Sequence, residues 1–521
     1  MRTARVVRSQ THKMAIRVKK LTSIDERALT PTVLETLASE VRALREELVA
    51  SEAQVAYLLE AVHPANLASA RNLVHYLALR RNDIRDLQHR LARAGLSSLS
   101  GCEPHVLVTL DRILALLNLA HGAPVADTDS APVGFREGER ILAENTERLL
   151  GPSPLNRAVR ILVTLPEEAA EGPAFARGLM AAGMDCARIN CARGEPQEWS
   201  AMALNVRAAQ REENRECMIL VDLAGPKLRT AKIRGQRKQL RLAVGDRFEL
   251  VNEGSRSQKD KSAPPRIGCT APQVFDDANP GQPIWFDDGK IGGMIESSTP
   301  DGFLILVTHA KPKGQKLRAE RSINLPETAL TLPALGEKDL SDLEAVAPWA
   351  DAVEMSFVQR EEDILSLHRA LRDLGKEDLG VILKIEKQRA FDELPRLLLA
   401  AMRMRKCGVM IARGDLAVEA GFERMAEVQE EILRIAEAAH VPTIWATQVL
   451  ENLAKEGMLS RAEVTDAAMS ARAEAVMLNK GPFIVEAIQT LDDILGRMKE
   501  HQSKKRALYP PLEVSARLWS A

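Results

Sequence analysis

Apolar positions follow two different rhythms along the 521-residue chain. From about Asp25 to Gly122 they recur at alternating steps of three and four, the spacing that lines one face of a helix. Leu34, Leu37, Val41, Leu44 and Leu48 make a narrow seam that resumes at Val55, Leu58 and Val62 ahead of Pro64. Thr30-Pro31 suits its start, with a capping hydroxyl and then proline at the first helical position. Leu77, Ile84, Leu87 and Leu91 carry the pattern to Gly95. Further helices are expected from about Pro104 through Leu119 and from Arg136 to Leu150. The spacing thus predicts an all-α N-terminal region over residues 25–150, broken by a linker-like stretch at 122–134 and ending at Gly151-Pro152-Ser153-Pro154. Such a bundle packs on itself or on the rest of the chain; docking or oligomerisation is the competing use of the seam.

After residue 151 short apolar runs alternate with amphipathic stretches. The runs are Val159–Leu165, Cys186–Asn190, Cys217–Asp222, Asp351–Phe357, Val381–Glu386, Gly408–Ala412, Pro442–Ala446 and Ala475–Leu478. Strands alternating with helices make βα units, and this number of them predicts a closed (β/α)8 TIM barrel, built from residues 151–230 and 318–499. Active sites of that fold lie at the C-terminal strand ends. Those ends carry Arg188 and Asn190, Asp222, Ser356, Lys384 and Glu386, Arg413 and Asp415, Thr447, and Asn479. The connection at 231–317 is too long for a helix and reads as strands Arg241–Val251, Pro283–Glu296 and Gly302–His309 between turn residues. A small β domain inserted on the catalytic face is expected there, placed to act as a lid. Residues 500–521 read as a C-terminal tail.

Composition narrows the function. A net charge of −1 and an aromatic content of 3% argue against a nucleic-acid binder. No apolar run approaches a membrane span. The six cysteines form no CxxC pair and the ten histidines no ligand cluster with them, so zinc and disulfide frameworks are poor readings. Reduced thiols in a cytoplasmic protein are expected. Residues 1–24 carry only basic charges and read as a basic tail. His309 and His440 are expected to be structural.

The chemistry gathers at two runs that end in charge, Val381–Glu386 and Gly408–Glu419. Lys384 and Glu386 lie two apart on a strand and share a face. With Arg413 and Asp415 at the next strand end, they suit a site holding a divalent metal and a phosphate. No GxxxxGK[ST] loop or GxGxxG turn offers another phosphate cradle.

The chain resembles the pyruvate kinase family over roughly Val159 to Met498. The stretches that carry the resemblance are ARIN (187–190), VDLAGPKLRT (221–230), FDDGKI (286–291), INLPETALTLPALGEKDLSDL (323–343), MSFVQ (355–359), LKIEKQ (383–388), IARGDLAVE (411–419), ATQVLE (446–451) and SRAEVTDAA (460–468). The resemblance implies phosphoryl transfer from phosphoenolpyruvate to ADP. It assigns Glu386 and Asp415 to Mg2+ or Mn2+, and Lys384 and Arg188 to the transferring phosphoryl group. Gly414 and Asp415 would bind the substrate carboxylate, with Ser356 also lining the substrate, and Thr447 would help deliver a proton to the enolate of pyruvate. Asn190, Arg193 and Arg229 would face the nucleotide. A homo-oligomer without membrane or nucleic-acid partners is expected. The helical N-terminal region lies outside the family pattern, and the family's separate C-terminal domain, which commonly carries effector binding, has no counterpart in the sequence.

Departures from the family pattern cluster on one side. Its Arg-x-Asn-Phe-Ser-His-Gly reads Arg188-Ile189-Asn190-Cys191-Ala192-Arg193-Gly194, and its Asp-Thr-Lys-Gly-Pro-Glu reads Asp222-Leu223-Ala224-Gly225-Pro226-Lys227. Potassium-ligating hydroxyls are lost where an ammonium is gained. Lys227, with Asn190 and Asp222, is therefore expected to replace the monovalent cation, and K+ not to be required. The last strand ends in Asn479-Lys480-Gly481-Pro482, shorter than the family's loop. A phosphoenolpyruvate-binding barrel with another phosphoryl acceptor, and a non-catalytic phosphoenolpyruvate sensor whose helical region docks a partner, are the rival readings.

Overall fold

Eight parallel strands close on themselves. They are β1 (Arg160–Thr164), β2 (Cys186–Asn190), β3 (Met218–Asp222), β4 (Ala352–Met355), β5 (Gly380–Ile385), β6 (Cys407–Ala412), β7 (Thr443–Ala446) and β8 (Ala475–Leu478), hydrogen-bonded in sequence order with β8 returning to β1. The computed structural model describes residues 30–124, 131–232, 239–253, 255, 263–504 and 506–508. The basic tail, the middle of the 122–134 stretch and most of the C-terminal tail lie outside them. The strands fall where the apolar runs do because both faces of a parallel strand are covered, so each reads as near-continuous Val, Ile, Leu and Ala.

The insertion holds a seven-stranded sheet with strands from Thr230–Ala231 to Ile323–Asn324 and a separate pair, Gln239–Leu242 with Gln315–Arg318, around an apolar core that includes Phe248, Phe286 and Ile305. Two of its expected strands are each split. Arg241–Val251 breaks into Gln239–Leu242 and Arg247–Asn252 at a turn through Gly245, whose φ is +91°. Pro283–Glu296 breaks into Pro283–Phe286 and Ile291–Thr299. Here Asp287, Asp288 and Gly289 all take positive φ, the conformation that closes a tight hairpin. The polar break Asp287-Asp288-Gly289-Lys290, with its Asp-Gly pair, is a hairpin signal that the apolar pattern by itself passes over.

The N-terminal helices Pro31–Gln54, Leu67–Arg80, Arg85–Arg93 and Val106–His121 share one continuous apolar core with the outer barrel helices. Thr30 caps the first, as its sequence position implies, by accepting from Val33 N. A further helix, Phe135–Leu150, ends beneath the barrel. Its Leu149 and Leu150 pack with Leu162, Leu220, Ile382, Met410 and Ile444 and fill the floor. Gly380 and Gly408 open β5 and β6 for this approach: a Cβ on either would stand 2.5 Å from a Leu149 methyl. All six cysteines are buried and unpaired. No helix among the described residues is long and apolar enough to cross a membrane.

Polar pairs fix the helical region to the barrel. Asn66 Nδ2 donates to the carbonyls of Met402 and Met404, and Asn72 Nδ2 to those of Glu103 and Ala438. His440, fully buried, bonds the Pro104 carbonyl through Nε2 at 2.8 Å and the Ser69 hydroxyl through Nδ1 at 2.9 Å. The carbonyl can only accept, so Nε2 carries the proton and Nδ1 accepts. Burial pushes this imidazole down to about 4 from its ordinary value of 6.5. The unfolded chain then binds a proton that the folded one refuses between those two values. Stability from the neutral ring is whole above pH 6.5 and is lost as pH falls toward 4, by up to about 3 kcal/mol. The urea midpoint is expected to fall over that range, and to fall less in His440→Gln; equal pH slopes in the two proteins would show that His440 does not set it.

Candidate active site

Asp222, the last residue of β3, organises the barrel mouth. It is buried, and its Oδ2 accepts from Arg188 at 2.5 Å while its Oδ1 accepts from Lys384 Nζ at 2.8 Å. Arg188 comes from β2 and Lys384 from β5, so one carboxylate gathers two cations from different strands. Lys384 Nζ also donates to Ser356 Oγ at 2.7 Å and reaches Glu386 Oε1 at 3.1 Å. Ser356 passes its own proton to the Leu223 carbonyl. Burial alone would strip the proton from Lys384, but Asp222 and Glu386 outweigh it and hold the ammonium well above its usual range. Burial also works against Arg188, and Asp222 and Glu354 reverse it. Asp222 in turn is pulled below the ordinary carboxylate range, burial being overcome by Arg188 and Lys384.

Glu386 directly follows β5. Its Oε2 accepts from the Phe357 N–H at 2.7 Å. Asp415 sits in the first turn of the helix Arg413–Ala420 that follows β6. Burial, with Asp415 as an added like charge, pushes Glu386 up. Asp415 goes down: burial opposes ionisation, but the Lys227 ammonium, 3.1 and 3.2 Å from its two oxygens, prevails. Glu386, paired with Lys384, and Asp415, paired with Lys227, are neighbouring carboxylates, each already drawing a cation. Their donors are all oxygen, which fits a hard divalent ion. Magnesium takes one or two carboxylates and completes its shell with waters and substrate oxygens. No group of three or more His, Cys, Asp or Glu among the described residues could hold a metal by itself. An ion here would therefore rest on this pair and on oxygens from outside the protein.

Thr447 follows β7 with φ +68°. A β-branched residue in the left-handed region costs on the order of 1–3 kcal/mol, so the surroundings must impose it. Arg413 does so: its guanidinium lies 4.7 Å from the Trp445 ring centroid, donates to the carbonyls of Ala446 and Thr447, and pairs with Asp466. Arg413 is thus a clamp on the strand end. Thr447 Oγ1 accepts from the Gly414 N–H at 2.8 Å. That N–H, expected to face the substrate carboxylate, is turned to the threonine, which leaves the hydroxyl proton free to be donated.

The other expected residues spread out. Asn190 Oδ1 accepts from Ala192 N and caps its own turn. Arg193 is exposed, and its carbonyl accepts from Trp199 Nε1. Arg229 donates to the Glu320 carbonyl at the base of the inserted sheet. Lys227 departs from expectation: its ammonium pairs with Asp415 and lies 5.8 Å from the Phe357 ring centroid, while Asp222 is taken by Arg188 and Lys384. The cause is the turn before it. Lys227 N bonds back to the Gly225 carbonyl, and Gly225, at φ +64°, lies so close to Ser356 that a Cβ would stand 2.8 Å from its Cβ. The chain therefore swings toward β6 instead of staying over β2 and β3.

Two features were missed. Glu354 on β4 bonds Arg188 Nε at 2.7 Å; an acid inside the apolar run Ala352–Met355 was a readable signal. Lys387 pairs with Glu419 at 2.6 Å, and Asn324 of the inserted sheet donates to the same carboxylate, tying the insertion's base to the barrel. Nothing local in the sequence marks that pair, whose members lie on different elements.

Eight βα units closed into a barrel, a β insertion and a mouth where buried cations are held by carboxylates define a (β/α)8 barrel protein with an inserted β domain. Residues 156–487 match the family model "Pyruvate kinase, barrel domain", and the chain belongs to the pyruvate kinase family. It is 33% identical to a pyruvate kinase of Methylorubrum extorquens over 68% of this chain and 70% of that protein. It is 30% identical to one of Mycobacterium tuberculosis over 69% and 73% respectively. With a Bacillus licheniformis pyruvate kinase the identity is 31%, and the match spans 63% of this chain and 55% of that longer protein.

Proposed function

We propose that this protein transfers the phosphoryl group of phosphoenolpyruvate to ADP, giving pyruvate and ATP, with the inserted sheet acting as a lid. The observation that carries the reading is the pairing of Lys384 and Arg188 through Asp222, directly beside Glu386 and Asp415. Phosphoryl transfer asks for alignment and charge neutralisation more than for covalent help. Lys384 and Arg188 present fixed cations to the moving group as its bond to the enol oxygen breaks and its bond to the ADP oxygen forms. Mg2+ or Mn2+, held by Glu386 and Asp415, would supply Lewis-acid neutralisation of substrate oxygens. The enolate left behind takes a proton at its methylene carbon. Thr447, with its hydroxyl proton uncommitted, is placed to relay that proton from water, being too weak an acid to supply it alone.

A coupled assay for pyruvate formation with ADP, GDP or UDP tests the reading. Phosphoenolpyruvate binding without turnover on any of them would favour the sensor. A different acceptor stays in view because Arg193 and the short Asn479–Pro482 loop alter the nucleotide side. Independence from K+ rests on the sequence change, Ala192 and Leu223 standing where the family has oxygen ligands while Lys227 brings an ammonium to the mouth, where it pairs with Asp415. Titrating KCl at constant ionic strength, which holds screening fixed, is expected to leave the rate unchanged within about twofold. A strict potassium requirement would overturn this part of the proposal.

A further inference from the structure

Glu354 is an acid sealed inside the barrel. It lies on β4 between Val353 and Met355 and opposite Asp222 of β3, and its side chain is fully buried. A carboxylate in such a place is costly unless something uses it. One use is visible: Oε2 accepts from Arg188 Nε at 2.7 Å. The other oxygen, Oε1, is buried with no hydrogen-bond partner among the described residues. Glu354 therefore does not serve a wider structural network. Its bonded side-chain partner is the cation that faces the phosphoryl group.

The donor count of Arg188 shows what that bond does. A guanidinium carries five N–H groups in a rigid plane. Nε and one terminal nitrogen form one edge, and the two terminal nitrogens form the other. Glu354 takes Nε and Asp222 takes the terminal nitrogen on the same edge, from adjacent strands in register. Thr164 takes one donor of the remaining nitrogen at 3.2 Å. One N–H on each terminal nitrogen is left over, the pair that can grip a phosphate bidentately. Asp222 and Thr164 each hold one terminal nitrogen, and among the described residues Glu354 is what holds Nε.

We propose that Glu354 is a positioning residue, which by holding Nε of Arg188 turns the guanidinium so that its two terminal nitrogens face the transferring phosphoryl group. The proposal rests on the phosphoryl-transfer reading above. A misplacement of about 1 Å in a positioned group can cost on the order of 100-fold in rate. Glu354→Ala is expected to lower kcat/KM for phosphoenolpyruvate by about that factor while leaving KM for ADP within about twofold. Glu354→Gln keeps an acceptor of the same reach and is expected to lose less than about tenfold. Glu354→Asp keeps the charge but withdraws it by one methylene, and is expected to behave like alanine.

The deciding measurement is a double-mutant cycle. In an Arg188→Lys background, which has no Nε edge to hold, Glu354→Gln and Glu354→Asp are expected to have equal effects. If the gap between them persists there, or if Asp is as active as Gln in the wild-type background, the proposal is overturned. Calorimetry of phosphoenolpyruvate with Mg2+ reads the same cycle as affinity. Should no variant turn over any nucleotide, the phosphoryl-transfer reading fails, and the binding cycle still decides the role of Glu354.

Discussion

Lys384→Met is expected to lower kcat by about 10³-fold. The magnitude follows from what the side chain does. Removing one fixed donor at a site of developing charge typically costs 10²- to 10³-fold. Lys384 is a full charge, desolvated in the barrel mouth and held on three sides by Asp222, Ser356 and Glu386. Methionine fills nearly the same volume, so packing survives. What is lost is the ammonium, and no neighbour replaces it: Arg188 is committed to Asp222 and Glu354, and Lys227 to Asp415. The loss should appear equally with ADP, GDP and UDP, because Lys384 faces the donor and not the nucleotide. Turnover within tenfold of wild type would remove Lys384 from the chemistry and the proposed function with it.

Arg157→Met is expected to be the most damaging single change to stability, about 3–5 kcal/mol, the range for breaking a buried ion pair. Arg157 is 1% exposed. Its guanidinium donates to Asp185 at 2.6 Å, Asp492 at 2.7 Å and the carbonyls of Val159 and Gly183. These partners sit before β1, in the turn before β2 and on the final helix Ile484–His501, so one side chain joins the first βα unit to the last. Methionine would leave two carbonyls without a donor and Asp185 with Arg215 as its remaining cation. Urea unfolding measures the loss. A change below about 1 kcal/mol would show that the barrel closes without this clamp.

The barrel was legible because its strands are buried on both faces and most of their charges gather at the C-terminal ends. All eight runs became strands for that reason. The carboxylates and cations of β5 and β6 were legible too, since strand alternation fixes where Lys384 and Glu386 point. The position of Lys227 was not. It depends on a close approach between Gly225 and Ser356, residues far apart in the chain, and no local pattern encodes it. Glu354 was overlooked for the opposite cause: its signal was local, but an acid in a buried strand gains meaning only once a guanidinium is found beside it.

Leu149 and Leu150 pack the bottom of the barrel closed, which leaves the strand-end mouth as its open side. In the proposed reaction both substrates, both products and the proton for the enolate must all pass the mouth beneath the inserted sheet. Traffic is then sequential: pyruvate and ATP have to clear the opening before the next pair can enter. If the inserted sheet acts as the proposed lid, its opening, rather than the transfer itself, would set the pace of turnover.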